Sequence, residues 1–303
     1  MHSERAPLIT HAQLASNGFT TNEIRAKVRA GELIRVRRGV YGGTDDINAL
    51  EEHRRLLRAT TPAVHETNVI SHLSAAVIHG FPVQTHFLKR VWMTRRSSGH
   101  GRSTRLITVR NSAIDAAEIM EVDGLTVTTP ERTVADLART QPFEWGVIAC
   151  DAALRAEVSP DDIRASLLRH PRLRGVPRAS AALTFADPRS ESPAESLSRV
   201  SMSLAGVPEP KLQWEIFNDN GEFVARPDFM WPDARLVGEV DGKWKYGQLL
   251  RPGQSPEAAI MAEKKREEMI RQQGFWIVRW GWDTASNPTR LGELPHRALS
   301  WQS

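Results

Sequence analysis

Residues 223–243 read FVARPDFMWPDARLVGEVDGK, two apolar runs joined by the turn sequence Pro-Asp-Ala-Arg. Short apolar runs bounded by turn residues are typical of β-strands paired in a hairpin. If the chain reverses in the middle of this turn, Asp228 and Glu239 are equidistant from it and lie opposite each other. Because side chains alternate across a strand, Asp241 and Lys243 then share a face with both acids.

These acids predict a metal site. The strand around Glu239 is apolar, and an unpaired charge near a core is costly. Carboxylates repel each other across a hairpin unless a cation joins them, and Mg²⁺ and Mn²⁺ take carboxylate oxygens. We therefore expect Asp228, Glu239 and Asp241 to ligate Mg²⁺ or Mn²⁺. The metal would activate a water, and Lys243 would position that water or stabilise the charge of the transition state.

The motif Pro227-Asp228 followed by Asp241-Gly242-Lys243 resembles the PD-(D/E)XK nuclease superfamily. Within that superfamily, the Glu239-x-Asp241-Gly segment and the following AEKKREEMIRQQGFWIVRWGW look closest to very-short-patch-repair-like and DUF559-type endonuclease domains. The resemblance covers residues 190–285 and implies an α/β restriction-endonuclease-like fold with a central mixed sheet. It also implies metal-dependent hydrolysis of a nucleic-acid phosphodiester.

The resemblance leaves two assignments open. Taken literally, Asp241 and Lys243 are the acid-x-Lys pair, and Glu239 is an extra ligand. By the DUF559 pattern, Glu239 is the second acid, and Asp241 stands where the lysine usually stands. The superfamily often supplies another acid from its first helix, here Glu195, and the resembled domains place a basic helical residue near the site, here Arg266.

Glu195 also has a purely structural interpretation. Ser192 and Pro193 are typical of an N-cap and a first helical position. The pattern Ser192-x-x-Glu195 is a capping box, in which the glutamate reaches back to a backbone N–H at the helix start. Arg199 stands four residues further on and would be a ready partner for the charge. The sequence therefore leaves Glu195 open between catalysis and helix capping.

The N-terminal region is predicted to be a winged helix-turn-helix. Thr20 and Glu23 form a capping box that starts a helix, and Gly31 can take the left-handed conformation that ends it. The sequence LIRVRRGVY that follows changes to strand composition, with a glycine near its middle. In such modules the second helix and the wing meet the major groove and the phosphates. The basic residues on these two elements, which could also form a solvated face, are Arg25, Lys27, Arg29, Arg35, Arg37 and Arg38.

This region resembles the DNA-binding domain of AbiEi-type antitoxins, the regulators of type IV toxin–antitoxin systems. The later segments VISHLSAAVIHGFPV and VDGLTVTTPERTVADLAR also look like that family. The resemblance implies nucleic-acid binding without requiring antitoxin activity. Between these segments, residues 89–110 are basic and lack acids, which suits phosphate contact or a solvated hairpin. His72 and His79 are two helical turns apart and could share a metal, although structural roles are commoner.

Composition sets the remaining limits. The 303 residues carry a net charge of +4, with no apolar run long enough to span a membrane. Cys150 is the single cysteine, which excludes an internal disulfide and a cysteine zinc finger. The N-terminus lacks the apolar core of a signal peptide, so a cytoplasmic protein is expected. Alternating Trp276, Val278, Trp280 and Trp282 predict a core-facing strand.

We therefore predict a multidomain α+β protein in three parts: a winged helix-turn-helix domain at 1–62, an AbiEi-like middle region at 63–187 that is mainly helical, and a PD-(D/E)XK endonuclease-like domain at 188–303. The predicted function is a DNA-binding, Mg²⁺- or Mn²⁺-dependent endonuclease, in defence or with a cognate toxin or a second copy as partner. The alternative is a non-enzymatic AbiEi-like regulator whose nuclease-like domain is inactive.

Overall fold

The computed structural model describes residues 7–96, 102–241 and 256–300. The helices are, in chain order, α1 (His11–Ser16), α2 (Thr21–Arg29), α3 (Ala49–Thr60), α4 (His72–His79), α5 (Pro130–Thr140), α6 (Phe143–Arg155), α7 (Pro160–Arg169), α8 (Val176–Phe185), α9 (Pro193–Leu204), α10 (Pro256–Gln272), α11 (Trp282–Ala285) and α12 (Pro288–Ser300). The strands are β1 (Ile9–Thr10), β2 (Ile34–Arg37), β3 (Val40–Gly42), β4 (Asn68–Ile70), β5 (Val91–Arg95), β6 (Arg102–Ser103), β7 (Ile107–Asn111), β8 (Ile119–Val122), β9 (Leu125–Thr128), β10 (Lys211–Leu212), β11 (Ile216–Phe217), β12 (Phe223–Ala225), β13 (Phe229–Trp231), β14 (Leu236–Asp241) and β15 (Trp276–Gly281).

The fold is mixed α and β and divides into two compact units. The first contains residues 1–139 and 161–176, and the second contains residues 140–160 and 177–303. Residues 186–192, which contain the predicted limit at 187/188, connect α8 to α9 within the second unit. The domain limits at 62/63 and 187/188 stay a prediction.

The N-terminal part of the first unit follows the predicted order of elements. Both short helices begin with a reciprocal capping box, and in α2 the backbone N–H of Thr20 donates to Glu23 at 2.7 Å. Gly31 ends α2 with φ at +75°. The hairpin β2–β3 and strand β1 form a sheet of order β1-β3-β2. Leu14, Ile24 and Tyr41 form the small core beneath these elements.

The middle segment builds more sheet than the sequence suggested. Six strands form one mixed sheet in the order β6-β7-β5-β4-β9-β8. Strands β5 and β7 pair in parallel, so the basic segment 89–110 is not the simple hairpin that the sequence allowed. Local patterns cannot separate these arrangements, because parallel pairing depends on contacts distant in sequence.

The second unit is a helix-covered mixed sheet of order β10-β13-β14-β15. The chain runs from α9 through β10, β13 and β14, which pair antiparallel, and then through α10 to β15, which pairs parallel to β14. Phe229, Val240 and Trp280 pack with α9 and α12 on one face. A Cβ on Gly238 would lie 2.5 Å from the Trp280 ring, so glycine is needed there for the two strands to pair.

The run LQWEIF is divided between β10 and β11, because Gln213 takes a left-handed φ of +52°. Two predicted features of this sheet are corrected. The run FVARPDFMW is similarly broken between β12 and β13. Trp280 is buried, but Trp276 at the start of β15 is 62% exposed, so the predicted core face of this strand begins later.

Two smaller observations concern the cysteine and membrane insertion. Cys150 is buried, and burial raises the pKa of its thiol to about 12, so it stays protonated near neutral pH. Across the described parts of the chain, none of the helices combines the length and apolar character needed to cross a membrane.

Candidate functional site

The predicted hairpin places its two leading acids side by side. Phe229 pairs with Gly238 and Trp231 with Leu236, and the same register continued by one step sets Asp228 against Glu239. The carboxylate of Asp228 accepts a hydrogen bond from the backbone N–H of Val240 at 2.8 Å. Asp228 is therefore fixed to the neighbouring strand, although β13 itself begins one residue later.

Glu239 is held by two arginines. Its side chain is 6% exposed. Oε2 accepts hydrogen bonds from Arg279 Nε at 2.9 Å and from Arg266 Nη2 at 3.0 Å. Oε1 lies 2.7 Å from Arg266 Nη1 as an ion pair, but the angle of this contact does not make a hydrogen bond. The cation that a buried acid requires is thus supplied by arginine at this position.

Arg266 of α10 and Arg279 of β15 belong to a wider ion-pair network that includes two acids of α10. Glu263 contacts Arg266 at 2.8 Å and Arg279 at 2.5 Å, and Glu267 contacts Arg279 at 2.9 Å. Burial alone would lower the pKa of Arg266, but hydrogen bonding to Glu263 and the charges of Glu239 and Glu263 outweigh it and raise that pKa. A metal at Glu239 would have to displace a strongly paired guanidinium.

A second pair of acids interacts near the start of α9. Burial and then the negative charge of Asp228 raise the pKa of Glu195 to about 6. Gln213 connects the two acids: its side-chain amide donates to Glu195 Oε2 at 3.0 Å, and its backbone N–H donates to the carbonyl of Asp228 at 3.2 Å. A carboxyl group that titrates near neutral pH beside a second carboxylate is typical of an acid–base or metal site.

The capping interpretation of Glu195 is partly right. Its backbone N–H donates to Ser192 Oγ at 3.2 Å, as a capping box requires. Its carboxylate accepts from the backbone N–H of Glu191 at 2.9 Å. The expected charge partner is wrong, because Arg199 instead pairs with buried Asp151 at 2.9 Å. Glu195 is therefore oriented by hydrogen bonds without a neutralising arginine at that position.

Three other residues were predicted at this site: Asp241, Lys243 and Arg266. Asp241 is exposed at the end of β14, on the strand that carries Glu239. Lys243 lies outside the described residues. Arg266 contacts Glu239 directly. The sequence did not predict the role of Gln213 in this site, because a single polar residue within LQWEIF does not indicate a left-handed backbone conformation.

The basic residues predicted to contact DNA in the N-terminal region differ in whether they are paired within the protein or exposed. Arg37 donates to the carbonyls of Ala59 and Thr60 at 3.2 Å, so it serves the end of α3. Lys27 is paired with Glu32 at 2.5 Å. The predicted contacts that remain exposed lie on α2 and the β2–β3 hairpin and are Arg25, Arg29, Arg35 and Arg38.

Within the described ranges, the grouping of metal-ligand type lies elsewhere, at Asp115, Glu118 and His170, whose ligand atoms all fall within 4.8 Å of one another. Glu118 is already satisfied: Oε2 accepts from Arg132 at 2.6 Å and contacts His170 at 2.7 Å, and Oε1 accepts from Ser166 at 2.8 Å. Arginine supplies the positive charge at buried Glu118, whereas Asp115 is exposed, so Glu118 belongs to an ion-pair network.

The relatives found by comparison with known proteins are uncharacterized. No family model matches the chain. The uncharacterized proteins Rv2248 and MT2308 of Mycobacterium tuberculosis, strains H37Rv and CDC 1551, are each 29% identical over 270 residues. The alignment covers 86% of this chain and 89% of each relative. Neither compact unit is that long, so the similarity extends into both units.

Proposed function

We propose that the protein is a DNA-binding, divalent-metal-dependent endonuclease. The observation that carries the proposal is the electrostatic interaction of Glu195 with Asp228 beside the sheet of the second unit, where Gln213 hydrogen-bonds to the carboxylate of Glu195 and to the backbone carbonyl of Asp228. The order of α9, three antiparallel strands, α10 and a parallel strand supports it, because the resembled nuclease domains share this succession of strand, basic helix and strand.

The acids of this site fit a hard cation. Two neighbouring carboxylates raise each other's proton affinity unless a positive charge lies between them, and Mg²⁺ or Mn²⁺ binds oxygen ligands of this type. The ligands proposed are Asp228 and exposed Asp241, with Glu195 completing the set. Glu239 is the weaker candidate, because Arg266 and Arg279 already neutralise it. When bound, the metal would activate a water for attack on a phosphodiester.

The protein's own groups have distinct proposed tasks. Glu195, with a pKa of about 6, can hold or release a proton at neutral pH during cleavage. Gln213 occupies its Oε2, so a proton on this carboxyl group is favoured on Oε1. The exposed arginines of α2 and the β2–β3 hairpin would bind the phosphate backbone of DNA and contribute affinity that falls with salt.

A cleavage assay tests the proposal on supercoiled, linear, nicked and single-stranded DNA with Mg²⁺, Mn²⁺ or EDTA. The decisive variant is Asp228→Asn, because asparagine can still accept the hydrogen bond from Val240. Asp233→Asn is the matched control, since Asp233 is an exposed acid in the turn of the same hairpin. We expect metal-dependent cleavage that Asp228→Asn abolishes and Asp233→Asn preserves. Equal cleavage by both variants would refute the site.

A second candidate function is a DNA-binding regulator that does not cleave. The observation that favours it is the neutralisation of Glu239 by two arginines, which removes one predicted metal ligand. In the same assay this function predicts salt-dependent duplex binding without cleavage under any metal. An AbiEi-like role with a cognate toxin, or assembly of two copies, remains a proposal of the same kind.

A further inference from the structure

Three nitrogen donors without partners lie near one another in the first unit. They are Nε2 of His72, Nε1 of Trp92 and Nε of Arg110, all buried and lacking a hydrogen-bond partner within the described structure. The rings of His72 and Trp92 are 6.3 Å apart, and Arg110 Cζ lies 5.3 Å from the centre of the Trp92 ring. Buried polar atoms are usually satisfied, so three such donors together indicate a missing acceptor.

The sheet orients two of these donors. Val91 and Met93 of β5 pack with Val109 of β7 in the apolar core. Because side chains alternate, Trp92 and Arg110 project from the opposite face. Both side chains are half-buried, so this face reaches solvent, although their donor nitrogens are enclosed.

His72 presents a donor because its tautomer is set by a chain of hydroxyl groups. Thr94 Oγ1 donates to Ser71 Oγ at 2.9 Å. Ser71 Oγ and His72 Nδ1 are also 2.9 Å apart, and with the Ser71 hydroxyl group as the donor the ring proton lies on Nε2. Burial lowers the pKa of His72 to about 4, so the ring is neutral at pH 7. His72 is fully buried and has a left-handed φ of +53°, a strained conformation that often marks a functional position.

The surrounding charge is positive. Asp136 accepts from Arg139 at 2.8 and 3.0 Å and lies 3.1 Å from Arg132. Arg132 also forms an ion pair with Glu118. Burial and then the charge of Arg139 lower the pKa of Arg110, against the opposing effect of Asp136. Asp136 and Glu118 thus pair with Arg132 and Arg139, and Asp136, which also lies 3.9 Å from His72 Nδ1, offsets only part of the positive charge of the three arginines.

We propose that His72, Trp92 and Arg110 form a binding site for an oxyanion of the phosphate type. Three N–H groups without acceptors, one of them on a guanidinium, match the acceptor-rich oxygens of such an anion. His72 also begins α4, where the helix dipole favours negative charge. The phosphate could be a small molecule or part of a nucleic acid, and the site is independent of the proposed nuclease centre.

The test is a titration of the full chain with orthophosphate, observed through the indole N–H resonances of its nine tryptophans. Trp92→Phe identifies the Trp92 resonance by its loss and keeps the ring beneath Arg110. We expect this resonance to move with saturation while that of exposed Trp214 stays in place. Arg110→Gln should weaken phosphate binding by about 10- to 100-fold, since it removes a charge-assisted hydrogen bond. Exposed Arg105→Gln should not change it.

A parallel titration with a short duplex lacking terminal phosphates distinguishes the sources. Movement of the Trp92 resonance by the duplex, reversed by orthophosphate, assigns the phosphate to nucleic acid. Movement by orthophosphate alone assigns it to a small molecule. The proposal is overturned if the Trp92 resonance is unmoved by both, if it follows chloride equally at matched ionic strength, or if Arg110→Gln and Arg105→Gln bind phosphate alike.

Discussion

At the scale of single residues, Glu195 lies in an environment unlike that of a surface acid. It is 6% exposed, lies at the start of α9 and accepts hydrogen bonds from Glu191 and Gln213. Burial and the charge of Asp228 bring its pKa to about 6. Without a bound cation, this carboxylate is a source of instability above pH 6, which is the usual cost of a functional site.

The first prediction concerns this instability. The folded pKa of Glu195 is raised above its ordinary 4.5, so its contribution to stability is present below pH 4.5 and lost as the pH rises through about 6. Glu195→Gln should therefore stabilise the metal-free second unit at pH 7.5 by about 2 kcal/mol relative to its effect at pH 4.5. Urea unfolding followed by tryptophan fluorescence measures this, because eight of the nine tryptophans lie in that unit. An effect of equal size at both pH values would contradict the prediction.

Residues also show where sequence reasoning reaches its limit. The capping bonds of Thr20 and Ser192 join residues three apart, so they follow from local sequence. The partners of Glu239 and Arg199 were not predictable in the same way. Arg279 is 40 positions from Glu239, and Asp151 is 48 positions from Arg199. Choosing such partners requires the packed fold, since many arginines compete for each acid.

At the scale of elements, strand β14 decides which acids are open to a ligand. Glu239 turns toward α10 and β15, where Arg266 and Arg279 hold it. The hairpin register could be anticipated, because it depends only on counting from the turn. The breaks at Gln213 and before Asp228 could not, and these breaks allow the two residues to meet near Glu195.

The second prediction tests the role of this strand. Glu239→Gln should destabilise the second unit by about 2 kcal/mol, because it removes the charge that two partly buried arginines share. The control is Glu268→Gln, which changes an exposed acid on α10 and should alter the stability by less than about 0.5 kcal/mol.

The Glu239→Gln variant also distinguishes the two proposed roles of Glu239, metal ligand and partner of the arginines. Retained Mn²⁺ affinity in Glu239→Gln would assign this acid to the arginine network, and lost affinity with unchanged stability would return it to the metal.

At the scale of the whole molecule, the two units should respond to acid in opposite directions. Burial lowers the pKa of both His53 and His72 to about 4 in the first unit, whereas that of Glu195 is raised in the second. A histidine with a lowered pKa gives stability that is complete above pH 6.5 and is lost as the pH falls toward 4. Glu195 makes the reverse contribution over the same range.

The third prediction follows from this opposition. Between pH 7 and 4, the two histidines should together remove about 6 kcal/mol from the stability of the first unit. Hydrogen exchange followed by mass spectrometry, corrected for intrinsic rates, should show the sheet containing β4 and β5 losing protection before the sheet containing β14. His86→Gln is the control, because His86 is exposed and should leave the profile unchanged. Equal loss of protection in both sheets would contradict this account.

The whole-molecule organisation was only partly predictable. Composition and turn signals indicated a multidomain α+β chain, and the order of elements in the N-terminal region and in the second unit was anticipated. The six-stranded sheet was not, because β5 and β7 pair in parallel across a connection and β4 reaches β9 more than fifty residues later. Short apolar runs of this kind fit strands and helices equally until their partners are known.

The most direct test of the central claim is Mn²⁺ binding to the full chain at pH 7.5, measured by calorimetry for the wild type, Asp228→Asn and Asp233→Asn. If Asp228 and its neighbouring acids form a divalent-cation site, the wild type and Asp233→Asn bind Mn²⁺ with the same affinity, and Asp228→Asn loses at least about tenfold. If all three proteins bind Mn²⁺ equally, or none binds it, the acids beside α9 are structural and the endonuclease proposal fails.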